Sequence, residues 1–217
     1  MELAQARFNM IEQQIRPWDV LDQRVLDLLE ALPRDAFVTE QNQSLAYADV
    51  NIALEHGEVM MPPKVEARLV QALNIQSDEN VLEVGTGSGY VTAMLASLSQ
   101  HVTSVDIHAD FLENAKARLD AYSLSNVTLE QGDAANGKTG DESFDVIAVT
   151  GSLPEYNQCF EKSLNIGGRL FVISGQAPIM EALLVTRVTE SEWVRQSLFE
   201  TDLPPLQNAK APSSFVF

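Results

Sequence analysis

The fold of this chain is decided by the stretch Val81-Leu82-Glu83-Val84-Gly85-Thr86-Gly87-Ser88-Gly89-Tyr90. Its first four residues are typical of a buried parallel strand, and the sequence V-T-A-M-L-A that follows favours a helix. We expect Gly85 to allow a tight turn, Gly87 to leave room for a ligand, and Gly89 to let the helix pack on the strand. The stretch therefore predicts a strand, a glycine turn and a helix that bring the backbone close to a nucleotide cofactor.

The spacing of the glycines indicates which cofactor is bound. A dinucleotide fingerprint has the form G-x-G-x-x-G, whereas here the third glycine comes one place early and Tyr90 stands at the sixth position. The form E-V-G-T-G-S-G-Y resembles the cofactor loop of S-adenosylmethionine-dependent methyltransferases. That resemblance implies S-adenosylmethionine as the cofactor, with contacts from Glu83, Gly85, Thr86, Gly87, Ser88, Gly89 and Tyr90. The loop alone leaves open an ordinary strand-to-helix turn without a ligand.

Strands and helices alternate after the glycine turn. We predict strands over 101–105, 126–130, 144–150 and 169–174, and helices over 109–121 and 156–164. Apolar positions in 183–187 and 193–197 then predict an antiparallel hairpin, with a helix over 180–185 as the alternative, and 204–212 is predicted to be a surface loop. The pattern predicts an α/β fold with a doubly wound, mostly parallel sheet, as in Rossmann-like methyltransferases, and a C-terminal antiparallel hairpin.

The N-terminal part is predicted to be a helical extension of the same domain. Helices are expected over 2–15, 21–32 and 64–73, with Pro17 ending the first and Asp19 as N-cap of the second. These helices either cover one end of the sheet or form the acceptor side of the cleft. We predict a single domain over 1–217, in which 1–75 is the acceptor-side extension and 76–217 is the cofactor-binding core.

Small and acidic residues stand at the ends of the predicted strands, where an open α/β sheet binds its ligands. Asp106 follows Gly85 by 21 places, and an acid at about this separation accepts hydrogen bonds from ribose hydroxyls. Asp133 follows the next strand and is placed to meet the exocyclic amine of adenine, with an ordinary Gly-Asp turn as the alternative. We predict that both residues bind the cofactor, together with three neighbours at the strand ends, Ile107, Ala134 and Thr150.

Composition argues against several classes of partner. The formal net charge of −17 disfavours nucleic acid and anionic membranes, because both attract clustered Lys and Arg. Cys159 is the only cysteine, so no disulfide forms within the chain and a reducing compartment is expected. Residues 1–5 lack the features of a signal peptide, and no apolar run approaches the roughly 18 residues of a membrane span. We expect a cytoplasmic protein.

No metal site is predicted. His56, His101 and His108 are scattered along the chain, and no cysteine or acid cluster stands around them at ligand spacing. We interpret them as surface histidines. Cys159 is interpreted as a core residue in a helix that faces the sheet.

Several spaced motifs extend the resemblance over nearly the whole chain. They are M-I-E-Q-Q-I-R at 10–16, L-P-R-D-A-F-V at 32–38, A-Y-A-D at 46–49, G-D-A-A-N-G at 132–137 and G-G-R-L at 167–170. Together they resemble the protein-L-isoaspartate O-methyltransferase family. The resemblance implies a carboxyl methyltransferase that uses S-adenosylmethionine and acts on the free carboxylate of isoaspartyl residues in damaged proteins.

One segment departs from the family. After the Gly-Gln equivalent the family carries T-I-S-A-P-H, whereas this chain has V-M-M-P-P-K at 59–64. The resemblance makes Met61 and Lys64 the candidate catalytic positions, because they stand where the family has its active-site serine and its histidine. Met61 has no hydroxyl and only a weakly accepting sulfur. Lys64 either supplies a charge for an acceptor carboxylate or is a solvated lysine at a helix start. We therefore expect a retained cofactor site beside a changed acceptor site.

We predict a monomeric S-adenosylmethionine-dependent methyltransferase that acts on a protein or peptide carboxylate. The alternatives are methylation of a different acceptor and a cofactor-binding protein that has lost transfer; acceptor-dependent methyl transfer would separate the enzymes from the binding protein. A nicotinamide-dependent oxidoreductase fits least, because of the glycine spacing and the lack of a second domain.

Overall fold

The computed structural model describes residues 3–138 and 142–211. Helices of the N-terminal part are α1 (Leu3–Met10), α2 (Gln23–Ala31) and α3 (Pro63–Leu73). The prediction of three helices is confirmed, but their ends differ. The first continues past Met10 as a π-helical turn, Ile11–Ile15, and a 3₁₀ turn, Arg16–Trp18. Asp19 is wrong as the N-cap of α2, because its backbone is left-handed (φ 59°). Asp22 is the cap and accepts the backbone N–H of Arg24 at 2.9 Å.

A seven-stranded sheet forms the centre of the molecule, with strand order β5-β4-β3-β6-β7-β8-β9. The strands are β3 (Asn80–Val84), β4 (His101–Asp106), β5 (Val127–Gln131), β6 (Phe144–Leu153), β7 (Leu164–Gln176), β8 (Ile179–Arg187) and β9 (Trp193–Thr201). The five from β5 to β7 run parallel, and β8 and β9 add an antiparallel pair. Two short strands before them, β1 (Ile52–Ala53) and β2 (Val59–Met60), form a separate ribbon. The predicted mostly parallel sheet with a C-terminal hairpin is confirmed, and a helix over 180–185 is wrong.

The later helices are α4 (Tyr90–Leu98), α5 (Ala109–Ala121) and α6 (Cys159–Lys162). The predicted helix over 156–164 is only one turn long, because Leu164 already pairs with Phe144 as the first residue of β7. Cys159 is exposed on this turn, so its prediction as a core residue is wrong. Phe160 is the buried residue at this point. Within the described ranges, no helix combines the length and the apolar character needed to cross a membrane.

The central strands of the sheet are buried on both faces, in agreement with the doubly wound topology. Side chains such as Val81, Val102 and Ala148 face the N-terminal helices and α4. Neighbouring positions such as Leu82 and Ile147 point to the opposite face, where Phe160 packs. The core on the side of the N-terminal helices is the larger of the two, so those helices are part of the domain's main packing.

A buried ion pair joins Arg34, in the segment after α2, to Glu66 of α3. The Arg34 side chain has no exposed surface, and its Nε donates to Glu66 at 2.9 Å. The same guanidinium donates to the backbone carbonyl oxygens of Ala46, at 2.6 Å, and of Met61. One side chain therefore ties α3 to the backbone of two other segments, at Ala46 and at Met61.

Glu83, predicted to contact the cofactor, is buried beneath the glycine turn. Its Oε2 accepts hydrogen bonds from the hydroxyls of Ser104, at 2.6 Å, and of Thr92. Its Oε1 has no hydrogen-bond partner among the described residues. Burial raises the pKa of Glu83 to about 8, against the lowering effect of the two hydroxyls, and the negative charge of Asp106 raises it further. The side chain links β3 to β4 and α4 and does not reach the cleft.

Glu83→Gln is expected to flatten the pH dependence of the unfolding free energy between about pH 5 and 8. The folded-state pKa of about 8 lies above the ordinary value of 4.5, so the folded protein binds an extra proton in this window. Stability therefore falls as the pH rises, by at most about 1.4 kcal/mol per pH unit, and a neutral glutamine removes that loss. Urea unfolding of both proteins at several pH values measures the difference, and parallel profiles would contradict the assignment.

Gly89→Ala is expected to destabilise the protein more than Gly167→Ala. The sequence predicts that Gly89 lets the helix pack on the strand. In the structure, a Cβ on Gly89 would lie 2.9 Å from the Cβ of Ala115 in α5. The close approach at Gly89 is therefore between the start of α4 and α5. Gly89 and Gly167 share a left-handed backbone, with φ of 80° and 85°, while space around Gly167 is open. The control, Gly167→Ala, should lower the free energy of unfolding by about 1–2 kcal/mol through backbone strain. Gly89→Ala should lower it by at least about 1 kcal/mol more, because the new methyl group clashes with Ala115. Equal losses in urea unfolding would show that α4 and α5 separate without cost.

Candidate active site

A cleft opens at the carboxyl ends of β3, β4, β5 and β6, where ligands of open α/β sheets bind. Gly85, Gly87 and Thr150 line it. The Thr150 hydroxyl lies 2.9 and 2.6 Å from the carbonyl oxygens of Val84 and Gly85, so it ties the end of β3 to β6. A Cβ on Gly87 would lie 3.4 Å from a methyl group of Leu54. The absence of a side chain at Gly87 leaves bare backbone facing the cleft.

Asp106 lies at the end of β4 and is 8% exposed. One carboxylate oxygen accepts the backbone N–H of Gly87 and the other that of His108, both at 2.9 Å. A carboxylate has about four lone-pair sites, so each oxygen retains capacity for a ligand hydroxyl. The carboxylate therefore holds the glycine turn in place and faces the cleft at the same time.

Asp133 lies just after β5, lines the same cleft and is exposed. Its Oδ1 accepts the backbone N–H of Ala135 at 3.0 Å, and its Oδ2 accepts the side-chain amide of Asn208 at 2.9 Å. The predicted residues Ile107 and Ala134 line the same cleft. The predicted strand-end residues are thus brought together in one cleft.

The lining of the cleft also contains residues that the sequence alone does not predict. Leu54 and Glu58 come from the ribbon before α3, and Leu206 and Gln207 from the C-terminal segment. Gln207 donates to Glu58 at 2.6 Å and lies 3.2 Å from the Nε2 of His108. The segment over 204–212, predicted as a surface loop, is anchored to β6 through backbone bonds with Ser152, although Pro212 lies outside the described residues. No local signal marks these residues, because long-range contacts bring them to the cleft.

Three other residues of the predicted cofactor loop are buried. Thr86 bonds to the Ser104 hydroxyl at 2.6 Å, and Ser88 accepts the backbone N–H of Tyr90. Thr86 and Ser88 border a small space beside Met61. Tyr90 is 1% exposed and packs edge-to-face on Phe37. Tyr90 therefore supports the loop from below and does not line the cleft.

The two candidate catalytic positions differ in where they point. Met61 is 3% exposed and lines the small space beside the glycine turn. Lys64 points away from the cleft: its Nζ lies 2.7 Å from an Asp49 carboxylate oxygen and 4.3 Å from the ring centroid of Trp18. Met61 thus borders the site, whereas Lys64 is engaged in a surface ion pair.

Two of the histidines are not scattered. The rings of His56 and His108 stack with centroids 3.9 Å apart, and the Nε2 of His56 lies 2.9 Å from a carboxylate oxygen of Asp110. Ligand atoms of the three residues lie within 4.8 Å of one another. Each ring nitrogen directs its lone pair within its own ring plane, so two parallel rings do not point to one ion. The arrangement is a stacked pair beside an ion pair, and the absence of a metal site stays a prediction.

Comparison with protein families agrees with the motifs. The family model described as protein-L-isoaspartate(D-aspartate) O-methyltransferase matches residues 5–207. A protein-L-isoaspartate O-methyltransferase of Rhodopseudomonas palustris is 33% identical over 202 residues, which are 93% of each chain. Another, of Syntrophus aciditrophicus, is 36% identical over 184 residues, covering 85% of this chain and 84% of the relative.

Solved structures show the same fold. A protein-L-isoaspartate O-methyltransferase superposes with a TM-score of 0.77 at 21% identity, over 94% of this chain and 67% of the other. A Plasmodium falciparum structure, described as the same kind of enzyme in complex with S-adenosyl-L-homocysteine, gives a TM-score of 0.75 at 17% identity, over 94% and 97%. The family match over 5–207 and the relatives above 30% identity decide the assignment: this chain is an S-adenosylmethionine-dependent methyltransferase and belongs to the protein-L-isoaspartate(D-aspartate) O-methyltransferase family.

Proposed function

We propose that this chain methylates the free carboxylate of isoaspartyl residues in proteins and peptides, with the strand-end cleft as its cofactor site. The observation that carries the proposal is the match to the family over 5–207, combined with a cleft in which Asp106 and Asp133 face the same space. In this proposal 76–217 holds the cofactor and 1–75 forms the acceptor side.

The residues that line the cleft suit the chemistry of S-adenosylmethionine. Bare backbone at Gly85 and Gly87 would receive the methionine end, because neither residue carries a side chain of its own. Asp106 has free lone pairs for the ribose hydroxyls, and Asp133 can accept the amine of adenine. Ile107, Ala134 and Thr150 would form the walls around them.

S-adenosylmethionine supplies an electrophilic methyl group, and transfer to a carboxylate oxygen yields a methyl ester. An acceptor carboxylate has an ordinary pKa of about 4, so it is ionised near neutral pH and needs no general base. The chain's own task is to hold and orient the acceptor and to exclude water. The absence of the family's serine and histidine therefore removes groups that orient the acceptor. It does not remove a general base, because the reaction requires none.

Orientation of the acceptor would fall to the loop over 59–64. The backbone of Met61 is fixed by its hydrogen bond from Arg34, so the loop keeps its position without a serine side chain. Lys64 is held by Asp49, and we propose that it stabilises the start of α3 and does not touch the acceptor.

The surroundings of the enzyme belong to the same proposal. The net charge of −17 and the single cysteine support action in the cytoplasm on a protein acceptor, without nucleic acid or membrane as partner. We further propose that the protein acts as a monomer, because the glycine turn, both aspartates and the loop over 59–64 all come from one chain.

Asp106→Asn is expected to weaken the binding of S-adenosylhomocysteine by about tenfold or more, since a hydrogen bond to a charged group contributes about 1.5–3 kcal/mol. Isothermal titration calorimetry measures the dissociation constant. Asp120→Asn removes a carboxylate from the exposed face of α5 and serves as the control. Equal affinity for the Asp106 and Asp120 variants would place the ribose elsewhere.

Methyl transfer is expected to an isoaspartyl peptide and not to the same peptide with a normal aspartate. Met61→Ser restores a hydroxyl but also empties a buried site, so Met61→Ala is its matched control. We expect the serine variant to exceed the alanine variant by about two- to tenfold in kcat/KM, the effect of one hydrogen bond. The transfer of a labelled methyl group gives kcat/KM for the wild-type protein and for both variants. Equal values for the two variants would show that a hydroxyl at this position has no role, and no transfer by any of them would overturn the proposed acceptor.

A further inference from the structure

A second cavity lies beside the glycine turn, outside the cofactor cleft. It has a volume of about 230 Å³ and is lined by Leu54, Gly87, Ser88, Phe111, Asn114 and Arg118, among others. Leu54, Gly87 and Phe111 also border the cofactor cleft, so these residues form a common wall. We call this space the Arg118 cavity. It is large enough for a side chain, whereas a single water needs far less room.

Arg118 brings an uncompensated charge into the cavity. Its Nη1 donates to the carbonyl oxygen of Ser88 at 2.8 Å. Over residues 3–138 and 142–211, no carboxylate oxygen lies within 4.0 Å of its guanidinium nitrogens. Burial lowers the pKa of Arg118, while the negative charge of Glu55 raises it. The guanidinium is thus partly desolvated and lacks a direct counter-ion, although the chain has 31 acidic residues against 14 Lys and Arg.

The remaining polar groups of the cavity favour a ligand that accepts hydrogen bonds. A guanidinium has five N–H donors in a planar fork that matches a carboxylate, and one of them is used here. Asn114 lines the same space and adds a side-chain amide. Glu55 opposes an anionic ligand, but it is exposed, so solvent screens its charge more than that of Arg118.

We propose that the Arg118 cavity binds a carboxylate of the acceptor polypeptide, the side chain of an acidic residue that flanks the isoaspartyl residue. The proposal rests on the proposed function and extends it to the recognition of flanking residues. A cavity that shares a wall with the cofactor cleft is placed to hold the acceptor chain a short distance from the reacting carboxylate. It supplies a cation that the loop over 59–64 does not, because Lys64 is held by Asp49.

The test uses isoaspartyl peptides that differ only in one Glu or Gln, placed in turn at each of the positions flanking the isoaspartate. Fluorescence anisotropy of labelled peptides with the enzyme and S-adenosylhomocysteine gives affinity without requiring transfer, and steady-state transfer gives kcat and KM. For at least one position we expect the Glu peptide to bind more tightly. Arg118→Gln should raise the KM of the Glu peptide by about tenfold more than that of the Gln peptide, so the ratio of the two KM values reports the lost contact.

Matched variants separate this role from a structural one. Lys116→Gln removes the same charge from an exposed site on α5, where Lys116 pairs with Asp120. This variant should leave the affinity and the KM of both peptides unchanged. Glu55→Gln should increase the affinity for the Glu peptide, which is the opposite of the effect expected for Arg118→Gln. Because Arg118 also contacts the glycine turn, the affinity for S-adenosylhomocysteine is measured in every variant, and Arg118→Lys should recover part of the Glu preference.

Failure of this proposal is distinguishable from failure of the proposed function. An Arg118-dependent preference for the Glu peptide in binding, without methyl transfer, would overturn the acceptor chemistry and support the cavity as a carboxylate site. Transfer without any Glu preference would overturn the cavity proposal alone. Free glutarate that stabilises the wild-type enzyme but not Arg118→Gln, again without a Glu preference, would assign the cavity to small carboxylates and overturn the peptide proposal.

Discussion

The buried guanidinium of Arg34 is the contact on which the arrangement of the acceptor side depends. It pairs with Glu66 and holds the backbone at Ala46 and Met61. Leaving either charge of such a pair unpartnered costs about 3–5 kcal/mol, so the three segments are strongly held in one arrangement. Met61 is held through its carbonyl oxygen, a backbone group that any residue supplies, so this anchor of the loop is kept whatever side chain stands at the position. The buried Met61 side chain adds its own packing to the core.

The charge balance of the cleft limits how a carboxylate acceptor can be recognised. Asp106, Asp133 and Glu58 line the cleft, and His108 is the basic residue among the described lining. With a net charge of −17, the protein as a whole repels acidic ligands, but salt screens this repulsion beyond about 8–10 Å. Recognition must therefore come from short-range donors, such as backbone N–H groups and single well-placed cations.

Local sequence signals predicted the parts of the molecule whose structure is determined locally. The helix over 109–121 is found as Ala109–Ala121, and the strand, glycine turn and helix around Gly87 lie as expected. The predictions are wrong where contacts between segments that are distant in the sequence determine the structure. The strand predicted over 169–174 extends to Leu164–Gln176 because β6 and β8 pair along it. His56 and His108 meet only because the ribbon before α3 folds onto α5, which no spacing in the sequence indicates. Glu83 shows a different limit, since a strand's alternation does not reveal whether an acid faces a ligand or the core.

The hydrogen bond between Gln207 and Glu58 joins residues 149 positions apart. Both residues line the cleft that contains Asp106 and Asp133, and both come from outside the segment 81–150 that carries the glycine turn and the strand-end residues. On the ribosome, residues 81–150 are synthesised before Leu206 and Gln207, which complete the lining. The cleft can therefore be completed only after nearly all of the sheet, including its antiparallel edge, has been synthesised.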